Sequence, residues 1–101
     1  MSGITLELAG EQYDVAPRLL RGSAPTYPIT RILADEDGSA TVSFAISEDG
    51  TTKDIKVVSA TYEYFGRHSA AAIKKWLFAP AIKDGKAVAV RTTVELQFKL
   101  K

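Results

Sequence analysis

Chemistry requires groups that titrate, ligate or attack, and this chain of 101 residues has few of them. It has no cysteine, which excludes disulfides, thiolate metal sites and cysteine nucleophiles. The single histidine, His68, adjoins Ser69, a base beside a hydroxyl. Sequence neighbours on a helix do not face one another, so His68 reads as a surface or helix-packing residue. Asp35, Glu36 and Asp37 could attract a hard cation, but consecutive carboxylates lack the alternating spacing of a calcium loop. The glycines are scattered singly, so no phosphate-cradling loop is present. Arg67, Lys74, Lys75, Lys83 and Lys86, with Tyr62 and Tyr64, could meet nucleic acid. No recognised binding motif accompanies them, and Trp76 and Phe78 are better spent in a core. The residues thus point away from an enzyme, a metal, an organic cofactor or nucleic acid. Binding through the main chain is what remains.

The composition suits such a module. Apolar residues make up 46% and charged residues 25% of the chain, the balance of a single soluble globular domain. Net charge is only +1, but the distribution is uneven. Six acidic residues and one lysine fall between Asp35 and Asp54, against eight basic and two acidic residues between Arg67 and Lys101. The fold should therefore carry a dipole. No apolar run reaches the roughly 18 residues of a membrane span. The start, Met1-Ser2-Gly3-Ile4, lacks the basic-then-apolar pattern of a secretory signal. The expectation is a cytoplasmic protein if this is the complete natural chain, or a domain excised from a longer one.

The elements follow from periodicity. Ile4 to Leu8 alternates like a half-buried strand and could turn at Ala9-Gly10 onto Gln12 to Val15. Pro17 and the Gly22–Pro28 stretch read as irregular extended chain, and Pro28 could open one or two helical turns ending at Ala34. Val42, Phe44 and Ile46 share one face of a strand, and Asp49-Gly50 favours a two-residue type I′ hairpin. That register sets Phe44 opposite Ile55 and Val42 opposite Val57. From Glu63 to Leu77 the period becomes helical, with Phe65, Ala72, Ile73 and Trp76 on one stripe and Pro80 as the stop. Asp84-Gly85 then leads into a strand of fourteen residues, Ala87 to Leu100. Val88, Val90, Thr92, Val94, Leu96, Phe98 and Leu100 form its buried face.

The architecture implied is α+β. A three-stranded antiparallel sheet has spatial order 2-1-3 in chain numbering, with one long helix and one short helix packed on one face. Residues 1–27 are an extended lead-in, able to add a strand, and 28–101 the domain. Two sheet edges would stay open, the strand around Val57 and the long final strand, unless the Ile4–Leu8 segment covers the latter. An open edge is either protected or used. Its use is strand addition by an extended peptide, or pairing between two copies.

Ala24-Pro25-Thr26-Tyr27-Pro28, then Gly38, Val42, Phe44 and Asp49-Gly50, resemble the TonB C-terminal domain family. Ala71 to Ala81, with Trp76, Phe78 and Pro80, is similar to that family's helix ending in Trp-x-Phe-x-Pro-Ala. Gly85-Lys86-Ala87-Val88 and the closing Leu96 to Leu100 continue the likeness, which covers about residues 14 to 100. Ala24 stands where many transducers carry Gln, and Asp35-Glu36-Asp37 replaces the usual Gly-Ile-Glu. The resemblance implies a periplasmic domain, the C-terminal part of an inner-membrane-anchored protein. Such a domain grips the TonB box of an outer-membrane transporter by strand addition, coupling the proton gradient to uptake of iron chelates or vitamins. Contact with the inner-membrane energising complex would run only through upstream segments. By that likeness the docked peptide lies along Val90, Arg91, Thr92, Thr93, Val94, Glu95, Leu96 and Gln97, near Pro25, Tyr27 and Pro28. Trp76, Phe78, Pro80, Gly50 and Gly85 would be structural. The alternative is a TonB-like self-associating module, a strand-paired dimer or adaptor without energy transduction.

Overall fold

The computed structural model describes residues 6–8, 13–22 and 37–98. The expected helical turns after Pro28 lie outside them. The sheet is built around β3 (Gly38–Ile46), whose alternation buries Ala40, Val42, Phe44 and Ile46 and leaves the intervening residues half-exposed. On one side β3 pairs antiparallel with β4 (Thr52–Ala60), and on the other with β8 (Val90–Phe98). The β3–β8 ladder runs unbroken from Gly38 opposite Phe98 to Ile46 opposite Val90. The order β4-β3-β8 is the one the sequence implies, and the class is α+β. To these three strands the structure adds a fourth: β1 (Leu6–Leu8) pairs antiparallel with the outer side of β8. The final strand is therefore an inner strand over part of its length, and the expectation of two open edges holds only for β4.

The hairpin departs from the expected two-residue turn. Ser47 N–H donates to the Thr51 carbonyl at 2.8 Å, and Gly50 N–H donates to the Ser47 carbonyl at 2.9 Å. Residues 48–50 thus form a three-residue connection closed by Gly50 at φ +88°, the left-handed position of a bulged hairpin. Val42 does face Val57, but the register slips between Ser43 and Ala45, and Phe44 has no Ile55 opposite it. The extra residue is absorbed near Asp54, at φ +51°. The type I′ geometry appears instead at Asp84 (φ +52°) and Gly85 (φ +78°), which join β6 (Ala81–Lys83) to β7 (Lys86–Val88). Ala89 separates β7 from β8, so the expected fourteen-residue strand is two shorter ones serving different sheets.

Helix α1 (Glu63–Ile73) stops four residues before the expected Leu77. Its last turn tightens: Lys75 N–H bonds the Ala72 carbonyl and Trp76 N–H the Ile73 carbonyl, each at 3.0 Å. The Thr52 hydroxyl also donates to the Ile73 carbonyl at 2.8 Å, tying the helix end to β4. Pro80 restrains Ala79 to extended backbone, and that restraint is met by β5 (Leu77–Ala79) rather than by a helix stop. β5 pairs with β2 (Arg18–Arg21), while Val15 bridges Ile82 rather than returning to Leu6–Leu8 as a hairpin. The core lies between α1 and the sheet. The Phe65 and Phe98 rings stack at 4.3 Å, and Phe44 meets Trp76 edge-on at 6.2 Å and Phe78 at 6.0 Å.

Candidate functional site

The residues singled out on the final strand divide by pleat. Val90, Thr92, Val94 and Leu96 are buried, at 3% exposure or less, and belong to the core face. Arg91 and Glu95 are exposed on the opposite face, with Thr93 and Gln97 half-buried beside them. Only this second face can present side chains beside a docked strand; the buried residues can offer only main chain. Arg91 is held in place: its guanidinium donates to Ser43 Oγ at 3.0 Å and to the Asp54 carbonyl at 3.4 Å, with the Asp54 carboxylate 3.9 Å away. Gln97 Nε2 donates to Glu95 Oε1 at 2.8 Å. Pro25, Tyr27 and Pro28 lie outside the described residues.

The outer side of β8, the edge away from β3, is paired at its centre. Leu6 stands opposite Val94, Glu7 opposite Thr93 and Leu8 opposite Thr92. Among the described residues this pairing covers positions 92–94 of β8. A pairing of this length yields two or three main-chain bonds of about 1 kcal/mol each. Ordering three residues costs about 1–2 kcal/mol apiece in backbone freedom. The ordering cost equals or exceeds the gain, so main-chain pairing alone holds β1 on the edge weakly. The β3–β8 ladder, by contrast, is fixed by the core beneath it. The sequence offers Ile4–Leu8 as a cover for this edge but does not decide it. The Leu-Glu-Leu alternation signals a strand but not which partner it takes.

The residues named as structural differ in their placement. Trp76 and Phe78 are buried, Pro80 is half-buried and Gly50 is buried beneath β5. Gly85 is exposed, and its role is confined to the turn. Ser69 is fully buried while His68 is half-buried, and no His68–Ser69 bond is formed; Ser69 Oγ lacks a hydrogen-bond partner altogether. Among the described residues no three His, Asp or Glu side chains cluster as a metal site would require. Tyr62 and Tyr64 stack on each other at 5.2 Å, and both meet Phe65 edge-on, closing the start of α1. The concavity between β4 and α1, lined by Ile55, Val57, Arg67, Ala70, Ala71 and Lys74, carries no group suited to catalysis.

The described residues form an α+β domain whose main sheet runs β1-β8-β3-β4. The family model described as the C-terminal region of the Gram-negative bacterial TonB protein matches residues 23–100. The TonB protein of Pseudomonas aeruginosa is 35% identical over 88 residues, 86% of this chain and 25% of that protein. The TonB of Yersinia enterocolitica is 30% identical over 77 residues, 74% of this chain and 30% of that protein. The solution structure of the Pseudomonas aeruginosa TonB C-terminal domain superposes with a TM-score of 0.74 at 32% identity, over 84% of this chain and 87% of that one. The TonB2 protein from Vibrio anguillarum gives 0.63 at 34% identity, over 94% and 89%. The chain belongs to the TonB C-terminal domain family, whose members are non-enzymatic interaction domains. It spans about a quarter to a third of the length of the curated relatives it matches.

Proposed function

We propose that this domain is the receptor-engaging part of a TonB-type energy transducer. It takes up a short extended segment of an outer-membrane transporter, the TonB box, along β8. Joined to an inner-membrane anchor, it works in the periplasm and couples the proton gradient to uptake of iron chelates or vitamins. The observation that carries this reading is the asymmetry of β8 among the described residues: one side is bound along its whole length to β3, the other is paired with β1 at residues 92–94. Main-chain pairing supplies register, and Arg91, Thr93, Glu95 and Gln97 supply the side chains beside the guest. Family membership supports the same reading.

The test is a titration of the isotopically labelled chain with synthetic TonB-box peptides, followed by amide chemical shifts. The expected result is movement concentrated on Val90 to Gln97, saturating with micromolar to millimolar affinity. Unmoved β8 amides at saturating peptide would overturn the assignment.

A further inference from the structure

Building on that reading, we propose that β1 is an internal competitor for the β8 edge, so that capturing a guest and releasing residues 6–8 are a single exchange. The argument is geometric. The main-chain groups of residues 92–94 that face away from β3 are the central rungs any guest aligned on β8 must use, and β1 is paired there. Two strands cannot occupy one edge at the same rungs, so the contacts exclude each other. Leu6-Glu7-Leu8 alternates in step with its partners: buried Val94, half-buried Thr93, buried Thr92. A competing guest therefore needs the same chemistry, an extended segment with apolar residues two apart and a polar one between. A guest that also pairs with residues 90–91 or 95–98 gains rungs that residues 6–8 do not fill, and can displace them rung by rung. Occupation by β1 lowers apparent guest affinity by the fraction of molecules in which the edge stands open.

The experiment uses three proteins and two probes. The proteins are the intact chain, the full-length variant L6G/E7G/L8G, and a truncation lacking residues 1–10, whose folding is checked by thermal melting. The probes are a TonB-box peptide and the heptapeptide of residues 4–10, Ile-Thr-Leu-Glu-Leu-Ala-Gly. The heptapeptide should shift the amides of Thr92, Thr93 and Val94 in the truncation, and bind the intact chain at least about twofold more weakly. The TonB-box peptide should bind the glycine variant at least about twofold tighter than the intact chain. On the intact chain it should also speed hydrogen exchange at Leu6, Glu7 and Leu8, a readout that needs no variant. Equal TonB-box affinity for intact and variant chains, with β8 amides shifting in both, overturns the competitor and leaves the functional reading standing. A TonB-box peptide that binds none of the proteins, while the heptapeptide still binds the truncation, overturns the functional reading instead.

Discussion

Three residues show how the hairpin and core respond to substitution. Gly50 sits at φ +88°, and a Cβ there would lie 2.0 Å from the Phe78 carbonyl oxygen, which is backbone and cannot step aside. The Gly50 carbonyl also accepts the Phe78 N–H at 2.9 Å, so the turn is bonded to β5. Gly50→Ala should cost about 3 kcal/mol or more, read as a lowered urea midpoint. Ser69 presents the opposite case. Its hydroxyl is buried without a partner, so Ser69→Ala should raise stability by about 1 kcal/mol and the melting temperature by about 4–8 °C. Asp49 adds a pH dependence. The Thr51 hydroxyl, then the Thr51 N–H, bond its carboxylate and hold it below the ordinary aspartate value of 3.8. A depressed folded value means the contribution is full above the unfolded value and vanishes as pH falls through the folded one. The urea midpoint should therefore drop more steeply below about pH 4 in the native chain than in Asp49→Ala.

The elements differ in how much of their placement is encoded locally. β3 and β8 carry long period-two patterns with an apolar face, and a slip of one residue would expose that face, so class and strand order were legible. Trp76 and Phe78 were legible as core for the same reason. The bulge at Asp54 was not, because its origin lies in fitting β4 to a three-residue turn rather than in any residue preference. The helix end was not legible either. Ala, Ile and Lys near position 73 all suit a helix, and what stops it is a tertiary contact, the Thr52 hydroxyl on the Ile73 carbonyl. Thr52→Val keeps the shape and removes the donor, so it should cost about 1 kcal/mol and fray the last turn. Faster hydrogen exchange at Lys74 and Lys75 would show the fraying. Of the candidate edge, β8 could be read from its alternation, whereas its pairing with β1 joins residues more than eighty positions apart and leaves no local trace.

At the scale of the molecule, the two lateral edges of the main sheet are unlike. β4 carries Lys53, Lys56 and two register shifts, features that discourage edge-to-edge pairing. β8 is instead covered at its centre by β1. A chain protected on both sides should not pair with its own copies. Sedimentation velocity should show a monomer from micromolar to millimolar concentration, and a truncation lacking residues 1–10 should show a concentration-dependent dimer. A stable dimer of the intact chain would instead favour the self-associating alternative. The antiparallel sense of β1 also fixes how the domain answers a mechanical load. β1 starts at Leu6 beside Val94, and β8 runs on past Val94 to Phe98, so the polypeptide leaves both strands toward the same end. Tension between the two termini would unzip this pair one rung at a time, at low force, long before the continuous β3–β8 seam yields. The domain thus has a first point of give at the edge where its guest would be received.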